Sequence, residues 1–282
     1  MHSFGLDSTD CELLAAFAAS GSLRATAMRL GRDASVISRS LSRVARIAPV
    51  VEKRRDRWVL TPLGVSLNRW TAEAVRTQGA VLGRPTSVRI GTTREFASRV
   101  VVPGWEELFA TTEGAPVLRT FESGLEAALV ASTIDVAFEC GRPLDPDVAF
   151  RVGAKEPMVV CASPAFLRRH RVRSTKTILG TPYVSYERSP ASVLLDLERE
   201  VPEIACVMND IAAARAAVVR GLGWSILPAY AVREEKEKRA IVTLEDRVIP
   251  SERFGVWWLR GDRSAASWAT RALAWLRTRD LG

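Results

Sequence analysis

Residues 33–48 constrain the chain most. Ser35, Ser38, Arg39, Ser42, Arg43 and Arg46 recur at i, i+3, i+4, i+7, i+8 and i+11. On a helix they form one polar, basic stripe, with Val36, Ile37, Leu41, Val44 and Ala48 on the opposite side. Asp33 stands where a cap is needed. Small hydroxyls beside arginines let a helix approach DNA closely. Hydroxyls reach phosphates or base edges, and arginine bonds guanine O6 and N7 bidentately. A solvated helix face has the same pattern, so the flanking segments decide between the two.

Residues 10–19 predict a first helix, with Leu13, Leu14 and Phe17 on one face and Gly21 as its stop. Ser22 starts a second helix to Leu30, with Ala25, Ala27 and Met28 as packing residues. Gly31 and Arg32 then turn into the third. Two helices joined this tightly predict a helix-turn-helix whose second member enters the major groove. Val50-Val51 and Trp58-Val59-Leu60 flank the basic run Lys53-Arg54-Arg55-Asp56-Arg57, which predicts a hairpin wing touching phosphates. Residues 1–85 hold 13 Lys+Arg against 7 Asp+Glu, so +6 of the chain's +8 lies in its first third. A nucleic-acid footprint is concentrated in this way.

The segments 15–27 (AAFAASGSLRATA), 36–39 (VISR) and 60–64 (LTPLG) resemble the start of LysR-type transcriptional regulators. Segments 161–167 (CASPAFL) and 214–228 (ARAAVVRGLGWSILP) resemble that family's effector domain. The resemblance covers nearly the whole chain, in the family's order. It implies a DNA-binding regulator, not an enzyme, with Ser22, Arg24, Ala34, Ser35, Ser38, Arg39, Ser42, Arg43, Lys53, Arg54, Arg55 and Arg57 at the DNA. The chain departs from the family where its recognition helix begins, with Asp33-Ala34 in place of Ser-Gln, and the expected operator differs accordingly.

Thr61 can cap, and Pro62 suits the first position of a connecting helix. Leu63, Leu67, Trp70 and Ala74 follow at i, i+4, i+7 and i+11, continuing to Val81 or Leu82. This seam is expected to pair with a second copy, as a homodimer or a dimer of dimers. Gly83-Arg84-Pro85 marks a linker. The expected division is a winged head over 1–64, a linker helix over 65–85 and a sensor over 86–282. The sensor's first lobe takes about 86–160 and 261–282, and its second about 161–260.

Strands near 88–91, 117–121, 134–138, 157–161, 183–186, 204–208, 224–227 and 254–259 alternate with helices, among them 92–109, 123–132, 190–199 and 264–279. Such alternation predicts βαβ units and a mainly parallel α/β sheet. Thr92-x-x-Glu95 and Ser123-x-x-Glu126 read as capping boxes, and Pro103 as a break. By resemblance the sensor has two lobes, like periplasmic solute-binding proteins. Ligands of open α/β sheets bind beyond the strands' carboxyl ends. Thr92, Thr93, Glu139, Cys140, Ser185, Tyr186, Asn209 and Asp210 fall there, with Trp224 beside them. They suit a small polar or carboxylate effector, and Glu139 with Asp210 disfavour a highly anionic one.

Chemistry-bearing patterns are otherwise sparse. Two histidines and four scattered cysteines lack metal-ligand spacing, so neither metal nor cofactor is expected. Cysteines in apolar settings suit a reduced, cytoplasmic protein, with Cys140 as the one candidate redox sensor. Gly221-x-Gly223 lacks a third glycine for dinucleotide binding. No run of apolar residues is long enough for a membrane span, and the first residues lack a secretion-signal pattern. Two other classes, an exported solute-binding protein and an α/β enzyme, lack respectively an export signal and a nucleophile or acid–base set.

Overall fold

The computed structural model describes residues 5–82, 87–112, 114–187, 192, 194, 201, 203–246 and 248–282, without the side chains of 76, 77 and 79–81. The expected linker 83–85, most of the expected helix over 190–199 and the side chain of Val81 lie outside these. The chain divides into two compact units. One runs to Arg89 and adds Thr112–Val117 and Glu126–Asp135; the other comprises Ile90–Thr111, Leu118–Leu125 and Val136–Gly282.

The first unit opens with α1 (Ser8–Ser20), α2 (Leu23–Leu30) and α3 (Ala34–Ile47). Asp7 and Asp10 form a reciprocal capping box on α1. Gly21 and Gly31 end α1 and α2 in the left-handed region (φ 66° and 62°), where a side chain strains the backbone. Leu13, Leu14, Phe17, Ile37, Leu41 and Val44 fill a common core. Met28, expected to pack, is exposed. The helix instead buries Thr26 and Ala27.

β1 (Val51–Arg54) and β2 (Arg57–Leu60) pair antiparallel, with Arg54 opposite Arg57. The connecting pair Arg55-Asp56 has φ 44° and 64°, the twist that two-residue hairpins demand. Thr61 Oγ1 accepts from Gly64 N at 3.1 Å and donates to Pro49 O, starting the 20-residue helix α4 (Pro62–Val81). Gly64 lies so close to β1 that a Cβ there would meet Val50 O at 1.9 Å. The LTPLG segment is thus a junction whose glycine permits backbone contact. Leu67 packs against the head core, while Leu63, Trp70 and Val75 stay exposed.

The sensor's first sheet has the order β4-β3-β5-β12-β6, built from β3 (Arg89–Thr93), β4 (Val117–Phe121), β5 (Val136–Cys140), β6 (Val148–Glu156) and β12 (Glu252–Leu259). β3 and β5 run parallel, but β12 runs antiparallel between β5 and β6. The second lobe carries β10 (Ser225–Pro228), β7 (Met158–Ala162) and β11 (Val242–Leu244) antiparallel, and β8 (Tyr183–Tyr186) parallel to β9 (Ile204–Met208). The mainly parallel sheet expected from alternation is therefore corrected. Strands that carry the chain between lobes return beside their neighbours and run the other way. Glu252–Leu259 joins the first sheet, so the return to that lobe comes earlier than the expected 261.

Pro103 does interrupt the helix after β3. The chain forms a short α5 (Arg94–Phe96), a π-helical turn at Ala97–Val101 and then α6 (Trp105–Phe109). The helix after β4 is α7 (Leu125–Val130), two residues later than the Ser123 start. In the second lobe follow α8 (Pro164–Arg169), α9 (Thr175–Ile178), α10 (Ile211–Val219) and α11 (Ala229–Glu237), and α12 (Arg263–Leu276) closes the chain. The α12 side chain of Leu276 packs so near Gly153 of β6 that a Cβ there would lie 2.6 Å away.

Gly64→Ala is expected to lower stability by about 1–3 kcal/mol, because backbone must shift to admit the methyl. Gly180→Ala, with open space around its Cα, is expected to be near neutral. Equal urea midpoints for the two variants would contradict this account of the junction.

Candidate functional site

The recognition-helix candidate is two-faced in the structure. Ile37, Leu41 and Val44 are fully buried. Ala34, Ser35, Arg39, Ser42 and Arg43 are exposed, and Ser38 is half-buried. Asp33 occupies the cap position, but its side chain makes no cap bond. Ser42 Oγ donates to Ser38 O at 2.9 Å, and Arg39 Nε reaches Ser35 O at 3.4 Å, so both lie along the stripe. Ser22 caps α2 by accepting from Ala25 N, beside exposed Arg24. In the wing, Lys53 Nζ pairs with Asp56 at 3.1 Å and Arg54 with Glu52 at 2.6 Å. Arg55 and Arg57 are exposed, with no ion pair among the described residues.

Arg43 is placed differently from its neighbours in the stripe. Its guanidinium grips Asp10 of α1 with two nitrogens, Nη1 at 3.2 Å and Nη2 closer still. Asp10 is 1% exposed. A carboxylate so enclosed needs a charged partner, and a bidentate arginine supplies the strongest available. Arg43 therefore fixes α3 against α1. Asp10 was missed in the sequence, though it lies in line with Leu13, Leu14 and Phe17 at i, i+3, i+4 and i+7. An acid on an apolar helix face announces a distant cation.

In the sensor, four of the expected effector positions belong to the architecture. Thr92 is fully buried and donates to Phe138 O at 3.0 Å. The cap of α5 is instead Thr93, which accepts from Phe96 N. Trp224 is sealed in the second core, its Nε1 donating to Thr181 O and its ring 4.7 Å from that of Tyr183. The expectation that it borders the cleft is corrected. Tyr186 is also buried, and Ser185 half-buried.

Others gather at the strands' carboxyl ends. Asn209 Nδ2 donates to Glu122 Oε2 at 2.8 Å, while Arg94 holds Glu122 Oε1 at 2.6 Å and reaches Asp210 at 3.7 Å. Asp210 also caps α10 through Ala213 N. Arg94 and Glu122, absent from the sequence reading, thus tie residues following β3 and β4 to those following β9. Deeper lies an ion cluster that no local pattern announces. Buried Glu95 of α5 receives Arg99 and Arg215, and Glu235 accepts from Arg99 and pairs with Arg215, both at 3.1 Å. Burial works against the Arg99 charge, but Glu235, Glu95 and Glu234 outweigh it and hold the guanidinium protonated.

Glu139 is half-buried at the end of β5, accepting from Cys140 N at 2.8 Å. Burial pushes its carboxyl up to about 7, the Cys140 amide opposes, and Glu156 and Glu252 add to the rise. Those two acids stand opposite one another on β6 and β12. Cys140 Sγ donates to Glu156 Oε2 at 3.0 Å, and burial with these acids pushes the thiol well above its ordinary range. A redox-sensing cysteine needs the opposite environment. Among the described residues, no group of histidine, cysteine and acids is arranged to hold a metal ion.

Residues 83–279 match the family model described as the LysR substrate binding domain. The chain belongs to the LysR family of transcriptional regulators. This LysR-type regulator is also similar in fold to solved structures over almost its whole length. ArgP from Mycobacterium tuberculosis is 18% identical, with 98% of this chain and 99% of that one covered and a TM-score of 0.68. A full-length OxyR variant from Pseudomonas aeruginosa is 14% identical, with coverage of 97% and 98% and a TM-score of 0.67. Full-length LysG from Corynebacterium glutamicum, with bound effector Arg, is 17% identical, with coverage of 96% and 98% and a TM-score of 0.62. Comparison with curated protein sequences finds no match. LysR-type regulators are not enzymes; their general function is DNA binding tuned by an effector domain. Among the described residues, no helix is long and apolar enough to cross a membrane.

The Asp10–Arg43 pair leads to a stability prediction. Arg43→Ala is expected to cost about 1–3 kcal/mol, because the enclosed carboxylate loses its partner. Arg43→Ala combined with Asp10→Ala should lose less than the two single losses summed, as urea unfolding will show. Additive losses would contradict the pairing. The Glu139 carboxyl yields a pH prediction. Its folded value of about 7 exceeds the ordinary 4.5, so the folded state holds the extra proton between those values. Stability should fall as pH rises through that window and level off above it. Glu139→Gln should flatten this limb and raise the melting midpoint at pH 8. An unchanged pH profile in the variant would refute the assignment.

Proposed function

We propose that this regulator binds specific duplex DNA through α3 and the wing, and that a small molecule held between the sensor's lobes tunes the binding. The observation that carries this reading is the division of α3. Ile37, Leu41 and Val44 are wholly buried on one side, while Ala34, Ser35, Ser38, Arg39 and Ser42 form the other. A helix so divided can be read from outside without disturbing its packing. Ser22, Arg24, Lys53, Arg54, Arg55 and Arg57 would hold phosphates on either flank. Arg43 would act chiefly by fixing the helix that the others present.

The division into a head over 1–64, a connecting helix over 65–85 and a sensor over 86–282 is part of this proposal. Exposed Leu63, Trp70 and Val75 on α4 favour a homodimer, or a dimer of dimers, joined along that helix. Two heads would then meet two half-sites. The effector would enter at the carboxyl ends of β3, β5 and β9, which carry Thr93, Glu139, and Asn209 with Asp210. Acids at this place favour a polar ligand that brings hydrogen-bond donors over a strongly anionic one. Occupation would alter the Arg94–Glu122–Asn209 bridge and so the balance between lobe positions. The natural setting of this activity is the cytoplasm.

DNA retained by the purified protein from its own genome supplies the duplex for the test. Arg39→Ala should cost about 1–3 kcal/mol of specific affinity if the side chain reads a base, with an unchanged melting midpoint. Arg55→Ala should reduce the slope of log affinity against log salt by about one unit. Unaltered affinity in the first variant and an unaltered slope in the second would remove α3 and the wing from the interface.

A further inference from the structure

A groove of about 450 Å³ lies between the turn that follows the π-helical segment, helix α11 and the residues after α12. It is separate from the strand-end cluster and falls within the volume range of small-molecule sites. Three guanidinium groups line it: Arg99, Arg233 and Arg279. They come from three elements.

Each arginine is faced by a carboxylate that stands largely in solvent. Glu234, on Arg99 Nη1 at 2.5 Å, is 54% exposed. Asp280, on Arg233 at 3.1 Å, is 80% exposed, and Glu107, on Arg279, is 64% exposed. Exposed pairs of this kind are worth little, and each acid can swing into water. Glu234 already has a second partner in Lys238 at 3.4 Å. Two of the cations, by contrast, are fixed, and Arg233 also donates to the carbonyls of Asp280 and Gly282. Arg99 is gripped from behind by Glu95 and Glu235, and Arg279 stacks on the Trp275 ring at 5.1 Å. A ligand that supplies its own acids can replace the exposed carboxylates without disturbing the arginines. A cationic ligand would have to approach three guanidinium groups.

Two further features suit an acceptor-rich occupant. Apolar Val100, Pro103 and the Tyr230 ring offer room for a short carbon skeleton. The Trp275 Nε1–H has no acceptor among the described residues and lies behind Gly104. A Cβ at Gly104 would come within 3.2 Å of that nitrogen, so only glycine leaves the indole so near the groove. We propose that this groove is a second ligand site, for a small multivalent anion carrying carboxylate or phosphate groups. It joins the π-helical turn of the first lobe to α11 of the second. An occupant that displaces Glu234 from Arg99 therefore acts on the same cluster that ties Glu95 to Arg215.

The test uses citrate and inorganic phosphate on the full-length protein, against sodium chloride at matched ionic strength. The readouts are melting midpoint and titration calorimetry. The basic head also attracts anions, so the Arg55→Ala, Arg57→Ala double variant serves as background. Either anion should raise the midpoint beyond matched salt in that background. Arg233→Gln or Arg279→Gln should weaken binding by about tenfold or more, since a charge-assisted hydrogen bond is lost. Asp280→Asn should tighten it, because a competing carboxylate is removed, and Asn209→Ala at the strand ends should leave it unchanged. Stabilisation by neither anion beyond ionic strength would overturn the proposal. So would equal binding by the parent, Arg233→Gln and Asp280→Asn proteins.

Discussion

A carboxylate enclosed in the head, Asp10, sets the position of the helix that faces outward. It serves two elements at once, closing the N-terminal cap of α1 and receiving both nitrogens of Arg43 from α3. Burying an acid is tolerable only with a paired cation and satisfied lone pairs. The recognition helix is therefore held by a directional contact as well as by Ile37, Leu41 and Val44, and apolar packing alone would allow it to rotate or slide. The turn glycines Gly21 and Gly31 and the tight junction at Gly64 complete the frame.

The sensor uses charge in another way. Its core is ordinary α/β packing, but elements that approach from opposite lobes also meet through polar contacts, an ion pair in one place and a hydrogen bond in another. Glu95 with Arg215 is buried, and Glu122 with Asn209 is open to solvent. Solvent-exposed polar contacts can exchange partners at small cost, where an apolar contact of the same extent would have to be pulled apart. That property suits a domain whose two halves must shift when a ligand arrives.

Local rules made the head legible. Helix caps, αL glycines and the 3.6-residue period each act over a few neighbours, so α1, α2, α3 and the wing could be read in order. The hairpin was clear because the charged run Lys53–Arg57 separated two apolar runs, though the run did not show that its tip is the pair Arg55-Asp56. Long-range contacts were not legible. Nothing near Arg43 says that it folds back on Asp10, and the stripe period alone put it with the outward residues. Arg94 and Glu122 are ordinary loop charges until the fold joins them. The strand Val148–Glu156 was missed because Gly153 and scattered charges break its alternation, and α11 because AYAVREEKE has little apolar face. Trp224 was placed beside the cleft from its neighbours in sequence, but the bridge from Tyr183 draws it into the core.

Thiol protection on α3 tests the central claim most directly. Ser38→Cys places a reporter within the proposed DNA-facing side, and Lys176→Cys places one on α9, far along the chain. With the duplex retained from the genome bound, alkylation at position 38 should slow about tenfold or more while position 176 reacts as before, as expected when a bound duplex excludes reagent from its contact surface. Labelling at position 38 that proceeds equally fast with and without saturating duplex would contradict the account.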